Sequence, residues 1–401
     1  MPARLSSPVA RLAAHRVPGE RIEPEQSSGL LGYLAALPDP RDRRGRRHPL
    51  AAVLAVAVCA VLAGSKTLAA IGEWAADAPP EVLVSLGIRP DPLTGVVAAP
   101  DEATVRRVLA GVDGDALDAA VGAWLQRQPS PAVSAPAGPG RVVWPAVAVD
   151  GKTLRGSGRP GEQVHLLAVM DHTGQAVLGQ VQVDGKSNEI TAFVPLLDRI
   201  DLTGTVVTSD AMHTQREHAH WLVTVKNAAY ICVVKRNQPN LYRQLKALPW
   251  RQIPVQDETH DRGHGRYEIR RLQVVSSDRL DFPHAIQAIR IARRVRDQKT
   301  KKWRTVTVYA ITSLTPVQAG PAQIAGYIRG HWAIEALHHV RDVTYAEDAS
   351  QVRTGNAPRT MASLRNLAIG ILRRAGRSNI AKALRHNARS HSRPLTLLGI
   401  T

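Results

Sequence analysis

Apolar positions along this chain follow two different periods. From Leu30 to about Gln128 they recur at helical spacing. LAAVLAVAVCAVLAG (50–64) and TLAAIGEWAADA (67–78) predict Ala- and Leu-rich helices that can pack on each other. PDEATVRRVLAGVDGDALDAAVGAWL (100–125) predicts two more, with Asp101 as an N-cap and a turn from Gly111 to Gly114 between them. A helix pair of this kind suits a groove-reading domain and suits a plain helical bundle equally well. Residues 1–27 lack periodicity and read as a disordered tail. Residues 129–141, dense in Pro, Ser and Ala, read as a linker.

Beyond the linker the period shortens. VVWPAVAVD (142–150) is a Val-rich strand. VHLLAVMD and AVLGQVQVDG, joined by a turn at His172-Thr173-Gly174, form a hairpin. EITAFVPLLDRI (189–200) is helical, TVVTSD (205–210) is a buried strand, TQREHAHWLVTVK (214–226) is a helix and AYICVVK (229–235) is a strand. Three strands, helix, strand, helix, strand is the order of the RNase H-like α/β fold, a mixed central sheet with helices on its faces. YEIRRLQVV, AIQAIRIARRV and RTVTVYAITSL make residues 240–315 a β-rich insertion. A long helix then starts at Pro321, and MASLRNLAIGILRRAG (361–376) is another. The expected layout is an all-α domain over 28–128, an α/β domain over 142–376 with its insertion, and a basic C-terminal segment over 377–401.

Charge narrows the choice of partner. Across 401 residues, 52 Lys and Arg oppose 34 Asp and Glu, a formal net charge of +18. An excess of that size implies a polyanionic partner. Arg43, Arg44, Arg46 and Arg47 crowd together beside Arg41 and Asp42, and residues 351–401 contain no acid at all. Nucleic acid is the implied ligand. Cys59 and Cys232 lie far apart in apolar runs and read as buried free thiols, which excludes a disulfide framework or a zinc ribbon. The start of the chain has no signal-peptide pattern, and the longest apolar run, 50–64, is short for a bilayer span. A cytoplasmic, nucleoid-associated protein without a membrane partner is expected.

Two carboxylates stand out. Asp150 and Asp210 each close a β-branched apolar run, and an RNase H-like sheet makes those two strands neighbours. An Asp before Gly at a strand end is commonly only a turn former; two of them, both at the positions where this fold places carboxylates, point to a metal site. Lys152 and Arg155 follow the first Asp and are candidates to contact a phosphate backbone.

Ordered motifs make a family visible. VAVDGKTLRGS (147–157), KSNEI (186–190), VVTSDAMHTQRE (206–217), VKRNQPNLY (234–242) and GHWAIEALHHVRDVTYAEDAS (330–350) resemble the DDE transposases of bacterial insertion sequences, the ISAs-type branch in particular. Residues 38–75 look like the transposase-associated helical domain of that branch, and 354–373 are similar to its C-terminal end. The resemblance runs from about residue 30 to Thr401. It implies Asp150, Asp210 and Glu335 as a carboxylate triad holding two Mg²⁺ or Mn²⁺ ions for strand cleavage and strand transfer on double-stranded DNA. The substrates implied are element terminal inverted repeats and target DNA, handled by a homodimer or larger assembly. The wider class carries a Tyr, Arg, Glu and Lys set on the glutamate helix. Here Ile328, His331 and Asp342 occupy the Tyr, Arg and Lys positions, with Tyr327 and Arg329 close by. His331 and Arg329 are further DNA-contact candidates. His331, Glu335, His338, His339 and Asp342 share much of one helix face, but their spacing is not that of an HExxH zinc motif. The residues by themselves also allow a decayed DNA-binding protein, or an RNase H-like nuclease that cuts without joining.

Overall fold

The computed structural model describes residues 29–128, 143–183, 188–263, 266–297 and 299–400. The expected tail (1–27), the linker (129–141) and the Lys186-Ser187 part of KSNEI lie outside the described residues.

Among the described residues six helices come first: α1 (Leu30–Ala35), α2 (Leu50–Leu62), α3 (Leu68–Asp77), α4 (Pro80–Ser85), α5 (Glu102–Gly111) and α6 (Gly114–Arg127). Asp101 caps α5 by accepting the Thr104 N–H at 2.6 Å, and Asp113 caps α6. Helix α2 is buried along every residue but Ala51, so it is a core helix wrapped on all sides rather than an amphipathic surface one. Part of the wrapping comes from the far end of the chain: α11 (Ala357–Arg374), α12 (Ile380–Asn387) and α13 (Ser392–Leu398) bury Leu367, Ile380, Leu384, Leu395 and Leu398 in the same core. The basic C-terminal residues thus complete the N-terminal helical layer.

The α/β part has strands β1 (Ala146–Thr153), β2 (His165–Asp171), β3 (Val177–Val183), β4 (Val206–Ser209) and β5 (Ala229–Val234). Its helices are α7 (Glu189–Asp198), α8 (Arg216–Thr224) and α9 (Pro239–Ala247). Strands β6 (Asp257–Gly263), β7 (Arg266–Ser276), β8 (Gln287–Asp297) and β9 (Trp303–Thr312) precede the long helix α10 (Pro321–Val343). The sheet order is β3-β2-β1-β4-β5-β9-β8-β7-β6. β1, β4 and β5 run parallel, and all other neighbours are antiparallel. The β-rich insertion is therefore not a separate body. β9 hydrogen-bonds to β5 from Tyr309 to Thr312, which covers the open edge of β5.

Strand alternation decides what each side of the sheet meets. Ala146, Val206, Ala229 and Ile231 pack under Ile324, Ala325 and Tyr327 of α10. Val147, Val149 and Val207 face Phe193, Leu196 and Leu197 of α7 on the other side. With a period of two, Asp150 and Lys152 point toward α10, and Gly151 points toward α7. Asp150 does not end its strand: β1 continues to Thr153, paired beyond that point with β2 alone.

A buried polar network ties these layers together. Glu347 accepts from Arg341 Nε at 2.8 Å and from Arg365 Nη1 at 2.8 Å, with all three side chains nearly inaccessible. Asn366 bridges Arg341 to Gln180, and Gln180 meets Asp118, which is held by Arg359 and Ser363. The acid-free C-terminal stretch is therefore not all available to a polyanion. Arg359 is neutralised by Asp118 of α6 and Arg365 by Glu347, just ahead of the acid-free stretch, and Arg374 is bound to the Leu125 carbonyl.

Candidate active site

β1 and β4 pair in parallel with Val149 opposite Ser209, so Asp150, still within β1, and Asp210, just past the end of β4, are next in register at the same level of the sheet. Past the end of β4 the chain turns sharply. Asp210 Oδ1 accepts the backbone N–H of Met212 at 2.9 Å, and Thr214 Oγ1 anchors the loop by donating to the Val233 carbonyl at 2.6 Å.

Helix α10 lies against β1 and β4 with a polar stripe. His331 Nδ1 meets Thr208 Oγ1 at 3.1 Å, His338 Nδ1 stands 3.5 Å from Asp150 Oδ2, and Asp342 binds Lys152 Nζ at 2.7 Å. These positions are four before, three after and seven after Glu335, so Glu335 shares their helix face. It is an exposed residue between one contact to the Asp210 strand and two to the Asp150 strand.

Asp150 carries the electrostatic mark of this arrangement. Burial pushes its carboxyl up to about 7; the Gly151 N–H works against that, and the charges of Asp210, Glu189 and Glu335 reinforce it. The sequence reads Asn188 and Glu189 as capping residues at the start of a helix and leaves open for both a role beside the metal ligands. Asn188 does cap α7, through the Ile190 N–H at 3.0 Å. Glu189 turns instead to the sheet. Its carboxylate accepts His165 Nε2 at 2.7 Å and His213 Nε2 at 3.2 Å, and His165 is held by Thr153. A Cβ on Gly151 would run into that carboxylate, so the glycine after Asp150 makes room for it. Burial alone would raise the Glu189 carboxyl, but the two histidines outweigh it and hold it down at about 2.

Three histidines on the α10 side, His331, His338 and His172, are held neutral by burial. Burial lowers His331 to about 4, His338 to about 3 and His172 to about 3. Thr208 Oγ1 donates to the Val147 carbonyl at 3.0 Å, so it can only accept from His331 Nδ1 and His172 Nε2. That fixes both tautomers and leaves His331 Nε2 as an acceptor. Gly330 provides the space, since a Cβ there would overlap the His172 ring.

Beside Asp150 an open cavity of about 540 Å³ is lined by Lys152, Arg155, Gln163, His338, Asp342 and Asp348, among others. Lys152 is buried in its pairing with Asp342, and Arg155 is exposed, 3.7 Å from Asp348.

Comparison with known proteins now decides the family. The description of the Transposase DDE domain matches residues 145–371, and that of the DDE_Tnp_1-associated domain matches 31–125. The chain belongs to the transposase DDE-domain family. It is 31% identical over 366 residues to "Putative transposase YncI" of Escherichia coli O157:H7, covering 86% of this chain and 87% of that one. It is 27% identical over 361 residues to "H repeat-associated putative transposase YhhI" of Escherichia coli strain K12, covering 86% and 90%. Family membership brings DNA as the partner and divalent cations as the general requirement. The donor set fits such ions, because carboxylate oxygens are what hard divalent cations take, and the repulsion that raises Asp150 is what a cation relieves. Among the described residues, no three His, Cys, Asp or Glu side chains are already gathered as a closed ligand cage.

The other candidates lie apart from this edge. Arg329 faces Asp257 of β6 at 3.4 Å. Arg46 braces Asp39 together with Arg41, leaving Arg43, Arg44 and Arg47 exposed with no ion pair among the described residues. Trp332 is sandwiched by the insertion, with the Arg270 guanidinium 3.9 Å above its ring. No described helix is long and apolar enough to cross a membrane.

Proposed function

We propose that this protein cleaves DNA at the ends of an insertion sequence and joins them to target DNA. In this reading Asp150, Asp210 and Glu335 are the ligands of two divalent ions, Mg²⁺ or Mn²⁺. The observation that carries it is the parallel β1–β4 register, which sets Asp150 and Asp210 side by side under the α10 stripe that holds Glu335. Held by these three carboxylates, such ions would supply Lewis-acid activation of an attacking hydroxyl and charge neutralisation at the leaving oxygen of an in-line displacement.

The chain's own residues prepare that chemistry. The Thr208 and Asp342 contacts fix the rotation and height of α10, so that Glu335 is presented between the two strands. Glu189 keeps the Asp210 loop close to β1 through His213. His338, neutral and beside Asp150, adds no positive charge that would compete with a cation. Lys152 serves chiefly as the anchor of α10, while Arg155, exposed and only loosely paired with Asp348 at 3.7 Å, meets a phosphate at the cavity mouth. Arg43, Arg44, Arg46 and Arg47, with Arg329 and His331, are the further DNA-contact candidates. Assembly as a homodimer or larger complex on paired ends, at the nucleoid, completes the proposal.

The test is a strand-transfer assay with labelled element-end DNA and a supercoiled target, in Mg²⁺ or Mn²⁺. Covalently joined end–target products are expected. Hydrolysed ends with no joined product would reduce the protein to a nuclease, and intact DNA would remove the enzymatic reading.

A further inference from the structure

The insertion strands run on past the body of the sheet. β9 pairs with β5 only from Tyr309, opposite Val234, so residues Trp303–Val308 extend beyond the carboxyl end of β5. β5 is parallel to β4 and β1, so this overhang of roughly 20 Å, at ~3.4 Å per residue, lies on the side where Asp150 and Asp210 emerge. β6, β7 and β8 accompany it as a four-stranded ribbon.

The two faces of the ribbon differ sharply in charge. Cross-strand partners point to one side, so the register sorts them. The face toward α10 carries Arg266, Arg270, Arg293 and Arg304 against Asp257, Asp261, Glu268 and Asp297. Its four arginines are matched in number by four acids: Glu268 pairs with both Arg270 and Arg293, Asp257 pairs with Arg329 of α10, and Arg266 and Arg304 have no ion pair among the described residues but share the face with Asp261 and Asp297. The opposite face carries Arg262, Arg271, Arg290, Arg294 and Arg296 against Glu258 alone. Glu258 is taken by Arg271, and Arg290 is bonded to the neutral Gln273. Arg262, Arg294 and Arg296 have no ion pair among the described residues. Between them sit aromatic rings. Arg294 and Arg296 lie 4.8 and 5.9 Å from the centre of the Trp303 ring, Tyr267 meets that ring edge-on, and Trp303 is 41% exposed. A large aromatic held open to water by two unpaired arginines contributes little to a core. Guanidinium groups laid on an aromatic plane are well set to present their N–H forks outward to phosphate.

We propose that this arginine–aromatic face of the ribbon binds the phosphate backbone of double-stranded DNA beside the carboxylate edge. The inference rests on the reading of the protein as a DNA-acting enzyme and says which surface holds the duplex. The face toward α10, at the same height, does not.

The experiment compares two double charge reversals in the full chain. Arg294→Glu with Arg296→Glu alters the proposed face; Arg266→Glu with Arg304→Glu makes the same net change on the other. Binding to a fluorescent 40-base-pair duplex of arbitrary sequence is followed by anisotropy across a salt series, with circular dichroism melts to check folding. Each phosphate that is no longer neutralised lowers the slope of log K against log [salt] by about 0.9. The Arg294/Arg296 variant is expected to bind at least tenfold more weakly, with a slope smaller by about 1.8, and the Arg266/Arg304 variant to stay within threefold of wild type. Equal weakening by both pairs would make the effect one of net charge and overturn the proposal, as would a wild-type slope in the Arg294/Arg296 variant. If wild type itself shows no salt-dependent DNA binding, the DNA-acting reading fails first, and the ribbon proposal with it.

Discussion

Replacing Asp150 by Asn should stabilise the protein above neutral pH. The folded chain holds the Asp150 proton until about pH 7, whereas an unfolded chain releases it near 3.8. Between those values the folded state binds more protons than the unfolded one, so stability falls as pH rises from about 4 to about 7 and remains at its lower level above that. At ~1.4 kcal/mol for each tenfold change in proton affinity, the ceiling is roughly 4 kcal/mol. Asparagine keeps the shape and cannot ionise, so it removes this penalty. For a chain of this length ~2 °C accompanies each kcal/mol, so the Asn variant should melt on the order of 3–8 °C higher at pH 8. The gap should shrink to less than half at pH 5. Millimolar Mn²⁺ should raise the wild-type midpoint at pH 8 and leave the variant nearly unmoved, since a ligand for the folded state stabilises only where it binds. Scanning fluorimetry at the two pH values, with and without Mn²⁺, reads all of this. An Asn variant no more stable at pH 8, or equally stabilised at both pH values, would refute the charge-crowding argument.

Four other substitutions, two of them also combined, have definite outcomes. Glu347→Gln strands the Arg341 and Arg365 guanidiniums in the core and should cost about 3–5 kcal/mol, visible as a large loss in melting temperature; a change under 1 kcal/mol in chemical denaturation would contradict the network's role. Gly151→Ala drives a methyl into the Glu189 carboxylate and should reduce cleavage at least tenfold while duplex binding is retained; unimpaired cleavage would show that the Glu189 contact is dispensable. Lys152→Asp and Asp342→Lys should each depress cleavage, and the double exchange should recover part of it because the ion pair that anchors α10 is rebuilt; a double variant as poor as the worse single one would remove that anchor from the account.

Much of the architecture could be read along the chain. The β-branched runs ending in Asp150 and Asp210 located the two strands whose adjacency makes the edge, and the insertion strands stood out through their alternation. What alternation cannot convey is long-range register. The pairing of β9 with β5 is a choice between edges that only the closed sheet makes, and it converts an apparent subdomain into a continuation of the sheet. Charge was misleading for a related reason. Arg359 and Arg365 lie in an acid-free stretch, yet their partners Asp118 and Glu347 come from other segments. The contacts of Glu189 and Lys152 follow the same pattern. Glu189 is reached from β1 only across the sheet, through the gap left by Gly151, and Lys152 meets Asp342 only once α10 is laid down. The glycine at 151 was the available signal, since a glycine directly after a candidate ligand marks a close approach by something else.

Cleavage of element-end DNA in Mg²⁺ or Mn²⁺ by wild type and by Asp150→Ala, Asp210→Ala and Glu335→Ala, with end binding measured on the same preparations, tests the central claim most directly. The account predicts that all three variants bind the ends and none cuts them; normal cleavage by the Asp150 or Asp210 variant would contradict it, and normal cleavage by the Glu335 variant alone would leave the strand pair in place and remove α10's carboxylate from the chemistry.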